Sequence, residues 1–235
     1  MDVDAFIREL EQIAPTGLAE ACDEGRIGLI IEGQGEVRTV CCALDATPSV
    51  VDEAIRSGAD MLVVHHTPLW NPVTRIGGRF ALLLRSLLKA EMGLYVMHTN
   101  FDQAPGGVND TLASILSVTK TEHLGPGLIG SCLLSPPEIA RRIGCSIRVW
   151  GRVDRIRMLA LVGGSGFDPD LLIDAESRGA DAFLSAELKH AVFRNSPIPC
   201  IEATHYALEN PAMKELASRM GWIFIDDPPL ITWHG

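Results

Sequence analysis

One pattern occurs twice in this sequence and restricts its architecture more than any other. PSVVDEAIRSGADMLVV (48–64) and PDLLIDAESRGADAFLS (169–185) share a Pro, an Ala and a Gly-Ala-Asp triplet at a constant offset of 121 positions. Each copy reads as one unit: a capping residue (Thr47 or Asp168), Pro at the first helical position, an amphipathic stretch, the triplet as a break, then an apolar run. A strand-like run precedes each, Val37 to Leu44 before the first and Met158 to Val162 before the second. Strand, cap, helix, break and strand, repeated at a distance, predict a duplicated α/β architecture. Chance similarity between two amphipathic units is the competing account, and it leaves the matched Pro and triplet unexplained.

The copies part at their ends, where the first has His65-His66 and the second Ala186-Glu187. Met61 to Val64 is a short buried-strand signal, so the two histidines fall at the carboxyl end of a strand, where open α/β sheets place ligands. Successive strand side chains point to opposite faces. Two adjacent imidazoles therefore suit one ion poorly but could each serve one of two ions about 3.5–4 Å apart. Two polar residues in a loop after a strand is the plainer alternative.

Along the rest of the chain, apolar spacing at Val3, Phe6, Ile7, Leu10 and Ile13 predicts a helix within 3–21, interrupted near Pro15. Ile27 to Ile31 reads as a strand and Arg79 to Met92 as a helix. Leu94 to Met97 is a short apolar run that delivers His98, Asn100 and Asp102. Asn109 is placed to cap a helix through Ser117. Glu122 to Ser131, rich in Gly and Pro, reads as the link to a second lobe. Pro136 to Ile143 is a helix capped by Ser135, and Asn210-Pro211 starts a final helix, AMKELASRM.

Composition narrows the class. Hydrophobic residues at 47% and charged residues at 21% describe a folded chain rather than a disordered one. No apolar run reaches about 18 residues, so nothing is expected to span a membrane. The acidic, amphipathic opening MDVDAFIREL is not a secretory signal. Six cysteines (Cys22, Cys41, Cys42, Cys132, Cys145, Cys200) show no CxxC spacing, which fits reduced thiols in a cytoplasmic protein. A net charge of −10 lacks the basic footprint that nucleic-acid binding needs and suits a chain that holds cations.

Three strand ends carry the remaining chemistry: His65-His66, His98 with Asp102, and His205 with Glu209. His205 and Glu209 are four apart, hence on one face of a helical turn. Histidine with carboxylate and without cysteine is the ligand chemistry of hydrolytic zinc, manganese or iron sites. Three histidines and two carboxylates suffice for two ions if one carboxylate bridges. Unrelated surface histidines are the alternative on spacing alone.

LDATPSVVDEAIRSGADMLVVHHTPLW, HTNFDQAPGGVNDTLASIL, VGGSGFDP with GADAFLSAELKH, and THYALE, in that order and across nearly the whole chain, resemble the blocks of the Nif-three-like family, the GTP cyclohydrolase 1 type 2 homologues. The resemblance implies an α/β fold of two similar lobes packed around a dinuclear metal site, commonly in a hexameric ring built as a trimer of dimers. By motif position it implies His65, His66, Asp102, His205 and Glu209 as metal ligands, with Glu209 bridging. His98 is implied close to the metals as an acid–base group, and Glu187 is the second candidate for moving protons. Two divalent ions per subunit (Zn, Mn or Fe) are expected, with a small nucleotide as possible substrate. The expected division is a first lobe over 1–124, a second over 125–204, and a segment over 205–235 returning to the metal site.

The sequence departs from the family at three places. Thr67 interrupts the usual His-His-Pro, Thr204 replaces the usual Gly before the last His, and Ser185-Ala186-Glu187 replaces Thr-Gly-Glu. The chain is also too short for the inserted domain of longer members. Several other residues have two readings. Gly163-Gly164-Ser165-Gly166 is a tight turn or a phosphate cradle. Lys189 and His190 are a solvated helix start or a reach toward the centre. Trp70 and Phe101 pack, or stack on a substrate. His123 and His234 suggest no partner. The functional expectation is a dinuclear-metal hydrolase, with metal storage or delivery, or a regulatory scaffold, as the non-enzymatic alternative.

Overall fold

The computed structural model describes residues 1–232, so His234 and the end of the segment drawn over 205–235 lie outside the described residues. It is a mixed α/β structure with two sheets. The chain divides into two units, Met1–Ala104 with the chain from Met213 on, and Pro105–Ala212.

The first unit opens with α1 (Val3–Ile13), capped by Asp2, and two short 3-10 turns at Thr16–Leu18 and Ala21–Asp23. It continues through β1 (Gly28–Ile31), β2 (Val40–Asp45), α2 (Pro48–Arg56), β3 (Met61–His66), α3 (Gly78–Lys89), β4 (Gly93–Val96) and α4 (Thr99–Gln103). Its sheet has the order β1-β4-β3-β2-β11, with β11 at Ile223–Phe224. β2, β3, β4 and β11 run parallel, and β1 is antiparallel at the edge. Alternate residues of three strands (Cys41, Ala43, Leu62, Val64, Leu94, Val96) enter one core with Val50, Val51 and Ala54 of α2 and Leu83 and Leu87 of α3. At about 1.5–3 kcal/mol per fully buried aliphatic side chain, this face is the main stabilising term of the unit.

The second unit holds α5 (Val108–Leu116), β5 (Thr119–Leu124), β6 (Gly127–Leu134), α6 (Pro136–Ile143), β7 (Arg148–Trp150), β8 (Ile156–Leu161), α7 (Pro169–Ser177), β9 (Ala182–Ser185), α8 (His190–Asn195) and β10 (Cys200–Glu202). Its sheet order is β5-β6-β8-β9-β10-β7, parallel only across β8-β9-β10. Both faces are covered. Leu159, Leu161, Ala182, Leu184 and Ile201 enter one core, while Ala160, Phe183 and Cys200 enter another. α9 (His205–Met220) crosses the division between the units.

The repeated sequence builds the same β–α–β unit twice, β2-α2-β3 and β8-α7-β9. Each letter of the triplet has the same work in both copies. Gly58 (φ 67) and Gly179 (φ 81) take the left-handed turn after the helix. Ala59 and Ala180 are buried, and their amides donate to Ala54 and Ala175 at 3.0 and 2.9 Å. Asp60 Oδ2 accepts from the amides of Arg38 and Thr39, both at 2.8 Å. Asp181 Oδ2 accepts from Arg157 and Met158 at 2.7 and 2.9 Å. The aspartate therefore fixes the approach of the preceding strand.

Three sequence expectations change. Glu122 to Ser131 is not a linker but part of the β5–β6 hairpin, so residue 124 falls at the turn of that hairpin. Its glycines are needed by the hairpin: a Cβ on Gly127 would meet the Leu161 carbonyl oxygen at 2.3 Å. Asn109 does not cap α5, since Gly107 does. Its amide instead bridges, accepting from Gly163 N and donating to the Pro126 carbonyl, both at 2.8 Å. Asn210-Pro211 does not start a helix, because α9 runs through Pro211. The proline costs one backbone hydrogen bond, and burial of Leu208, Ala212, Met213, Leu216 and Ala217 offsets it. All six cysteines are free, and burial pushes the Cys42 thiol well above its usual range. Among the described residues no helix is long and apolar enough to cross a membrane.

Asp60→Ala and Asp181→Ala each leave two amides without their carboxylate acceptor and are expected to lower unfolding free energy by about 1–3 kcal/mol. Urea denaturation measures this. Asp60→Ala should be the larger loss, because Asp181 is exposed and water replaces its bonds more readily.

Candidate metal centre

In the first unit β3 ends on the two histidines, delivering them at the carboxyl edge of the sheet. His65 is fully buried, and the His66 side chain is 25% exposed. Although they are successive residues of the strand, their ring centroids lie 4.9 Å apart. The parallel register sets Asp45, last residue of β2, beside His66, and Asp45 Oδ1 lies 2.8 Å from His66 Nδ1. Thr67 shapes the loop that follows: its Oγ1 accepts from Leu69 N at 3.2 Å.

His98 immediately precedes α4, and its carbonyl accepts from the amides of Phe101 and Asp102 at 2.7 and 3.0 Å. The two residues between have structural tasks. Thr99 donates to Asp23 Oδ2 through its amide at 2.9 Å and its hydroxyl at 2.5 Å. Asn100 Nδ2 donates to the Ala14 carbonyl at 2.7 Å. That anchoring fixes His98, just before the helix, and Asp102 within it. His98 Nδ1 sits 2.7 Å from Asp23 Oδ1, and Asp102 Oδ1 sits 3.4 Å from His65 Nε2. One ring nitrogen from each of His65, His66 and His98 lies within 4.8 Å of the other two.

Asp23 is buried, and desolvation alone would raise its pKa. The hydrogen bonds from His98 and Thr99, with the His98 charge, outweigh this and hold the carboxyl below the ordinary 3.8. Trp70 presents its edge to His98 at 5.5 Å while Arg26 lies over the indole at 5.1 Å and donates to the Trp70 carbonyl at 2.6 Å. Phe101 is fully buried with its edge toward His65, a packing role.

In the second unit α9 begins at His205, with Glu209 one turn on. Thr204 Oγ1 accepts from Ala207 N at 3.3 Å and so caps the helix. His205 Nε2 lies 3.0 Å from Glu209 Oε1, and its Nδ1 lies 2.8 Å from Glu187 Oε1. Room for this pair depends on Gly164. A Cβ there would stand 2.1 Å from Glu209 Oε1 and 3.1 Å from His205 Nε2, at a φ of +67°. The surrounding glycine turn is fastened internally: Gly166 N donates to Ser185 Oγ at 2.8 Å, and Ser185 Oγ donates to the Gly164 carbonyl at 2.7 Å. With the Gly163 and Gly166 amides committed to Asn109 and Ser185, the tight-turn reading accounts for the GGSG stretch.

The sequence-predicted residues thus fall into two donor sets. His65, His66, His98 and Asp102 come together in one unit, and Glu187, His205 and Glu209 in the other. Lys189 and His190 are exposed at the start of α8. His66, His98 and His205 share one construction, a carboxylate oxygen within 2.8 Å of Nδ1, and on His205 a second carboxylate, Glu209, lies 3.0 Å from Nε2. Sequence reading missed the carboxylates Asp23 and Asp45. Asp45 directly follows the strand read over Val37 to Leu44; the structure extends β2 to it and pairs it with His66. Asp23 carries no such signal, because it reaches His98 from a 3-10 turn that no motif marks. The donor chemistry, nitrogen and oxygen without thiolate, fits divalent zinc, manganese or iron. A glycine where a methyl would collide with Glu209 Oε1 and crowd His205 Nε2 fits a site whose donors need that space.

A sequence model of the Duf34/NIF3 (NGG1p interacting factor 3) family matches residues 1–224. A Streptomyces coelicolor protein named GTP cyclohydrolase 1 type 2 homolog is 31% identical, over 92% of this chain and 87% of its own. A Pyrococcus abyssi protein of the same name is 33% identical, over 88% and 91%. Among solved structures, reduced HcgD from Methanocaldococcus jannaschii superposes with a TM-score of 0.83 at 26% identity, covering 95% of this chain and 96% of its own.

Two outcomes follow from this geometry. Gly164→Ala is expected to cost about 1–3 kcal/mol through overpacking and strained backbone and to weaken Mn binding, read by denaturation and calorimetric titration. Asp23 contributes stability above its unfolded pKa near 3.8, and this is lost as pH falls through its lower folded value. The stability gap between the native chain and Asp23→Asn should therefore be full near neutral pH and shrink as the pH drops below about 3.8, followed by urea midpoints.

Proposed function

The chain belongs to the Duf34/NIF3 family, and from that premise we propose that it is a metal-dependent hydrolase acting on a small nucleotide. His65, His66, Asp102, His205 and Glu209 are the proposed ligands of two divalent ions, with Glu209 bridging. The observation that supports this most is a carboxylate held against Nδ1 of two of these ligands, His66 and His205. Metal-binding imidazoles characteristically donate their other N–H to a carboxylate, which fixes tautomer and orientation. Surface histidines have no need of it.

Two bound divalent ions would supply a hydrolytic nucleophile near neutral pH and polarise the bond attacked. The chain's own residues do the rest. Asp45 and Asp23 hold His66 and His98 in single orientations. His98, whose Nδ1 faces the buried Asp23, is the proposed proton carrier, a role worth about 10²–10⁴ in rate. Trp70 packs beside His98, with ring centroids 5.5 Å apart. The relatives' name supports a purine nucleotide such as GTP as substrate, and the family resemblance supports a hexameric ring.

A second reading is metal storage or delivery, or a regulatory scaffold, favoured by the family's description as an interacting factor. The two readings part on coordination: a hydrolase keeps an open position for water, whereas a storage site can be closed. The test is GTP turnover by protein loaded with Mn, Zn or Fe. His66→Ala, at a partly exposed position, and His65→Ala should each lose at least about 100-fold, the scale of one catalytic group. Turnover equal to the native chain in both variants removes the hydrolase.

A further inference from the structure

We infer that Glu187 is a positioning residue: its backbone is held in the left-handed region so that its carboxylate fixes Nδ1 of His205 and leaves Nε2 to the metal. This rests on the metal reading above and replaces the proton-moving role expected from its motif.

Four non-glycine residues among those described have positive φ. Ser117 ends α5, Glu91 follows α3, and Lys120 sits in the register break of β5 against β6. Each occupies a turn or bulge where the chain must change direction. Glu187 (φ 62) lies in the short connection from β9 to α8, directly after a bend at Ala186. A residue with a β-carbon is disfavoured there, and such strain persists only where the surroundings over-determine it.

The surroundings do so from both sides. Ala186 N donates to the Gly164 carbonyl at 2.8 Å. Leu188 N donates to Glu202 Oε1 at 3.1 Å. Glu202 is itself buried on β10, and its other oxygen takes Arg148 Nη2 at 2.7 Å and Trp150 Nε1 at 3.2 Å. A buried, ion-paired carboxylate is thus committed to holding the backbone next to Glu187. Gly164, which receives the other clamp, is the glycine that makes room for His205 and Glu209.

The Glu187–His205 pair itself adds little to fold stability. The Glu187 side chain is 61% exposed and that of His205 is 31% exposed. A hydrogen-bonded pair so open to water is screened and contributes little. The clamped backbone directs the carboxylate toward Nδ1, 2.8 Å away. That is the geometry by which a carboxylate sets the tautomer of a metal-binding imidazole.

Glu187→Asn tests the assignment, because Asn tolerates left-handed backbone but is too short to reach His205. Three readouts are taken on the full chain: the melting temperature without metal, the His205 tautomer by ¹⁵N NMR without metal in a Glu209→Ala background, which removes the carboxylate at Nε2, and Mn²⁺ affinity by calorimetry with Glu209 intact. The expected result is a melting temperature equal to or above that of the native chain, loss of the single Nδ1–H tautomer, and Mn²⁺ binding weakened about 10–100-fold. Glu187→Gln, which keeps an acceptor oxygen, should restore most of the tautomer preference. An unchanged His205 tautomer in Glu187→Asn overturns the assignment, as does a matched fall in melting temperature with native Mn²⁺ affinity. If the native chain itself fails to bind Mn²⁺, the metal reading falls, while the tautomer measurement still decides the role of Glu187.

Discussion

An imidazole has two nitrogens and a freely turning ring, so a histidine becomes a dependable donor only when something grips one side of it. In this chain that grip is a carboxylate on Nδ1, found at His66 with Asp45, His98 with Asp23, and His205 with Glu187. The three carboxylates come from different kinds of structure: the end of a strand, a 3-10 turn, and a strained residue after a strand. The imidazoles are equally diverse in origin. Convergence of unrelated local structures on one arrangement points to a shared chemical requirement rather than to a packing accident.

The fold serves this requirement through its parallel strands. In-register pairing of β2 with β3 sets an aspartate beside a histidine at the same edge. The repeated Gly-Ala-Asp triplet makes the pairing reproducible, since its aspartate pins the start of the neighbouring strand in both copies. Only the first copy ends in histidines. The second ends in Ser185-Ala186-Glu187, where the serine fastens the glycine turn and the glutamate turns to His205. One backbone plan therefore carries two different loads, donor in one unit and donor support in the other.

Much of this is legible in the sequence because it depends on local chemistry. Thr47 and Asp168 cap their helices as their types require, accepting from Val50 N and from Asp170 and Leu171 N. The donor residues can be named because histidines and acids at strand ends, and four apart on helices, together make up the nitrogen and oxygen set that divalent ions take. What stays hidden depends on distant contacts. Asp23 meets His98 across 75 positions. The glycines around 125–130 suggest a linker, yet they serve close strand packing that no local pattern reveals. Pro211 reads as a helix start because its local cost is real; the helix continues through it because of burial on α9 that sequence spacing alone does not weigh.

The central claim is that five side chains from separate stretches of the chain hold a pair of divalent ions. A crystal structure of the manganese-loaded protein, with anomalous differences collected at the metal edge, addresses it most directly. The account expects two peaks about 3.5–4 Å apart, bound by His65, His66, Asp102, His205 and Glu209, with Glu209 touching both. Full occupancy elsewhere in the protein, or no peak within reach of these residues, would contradict it.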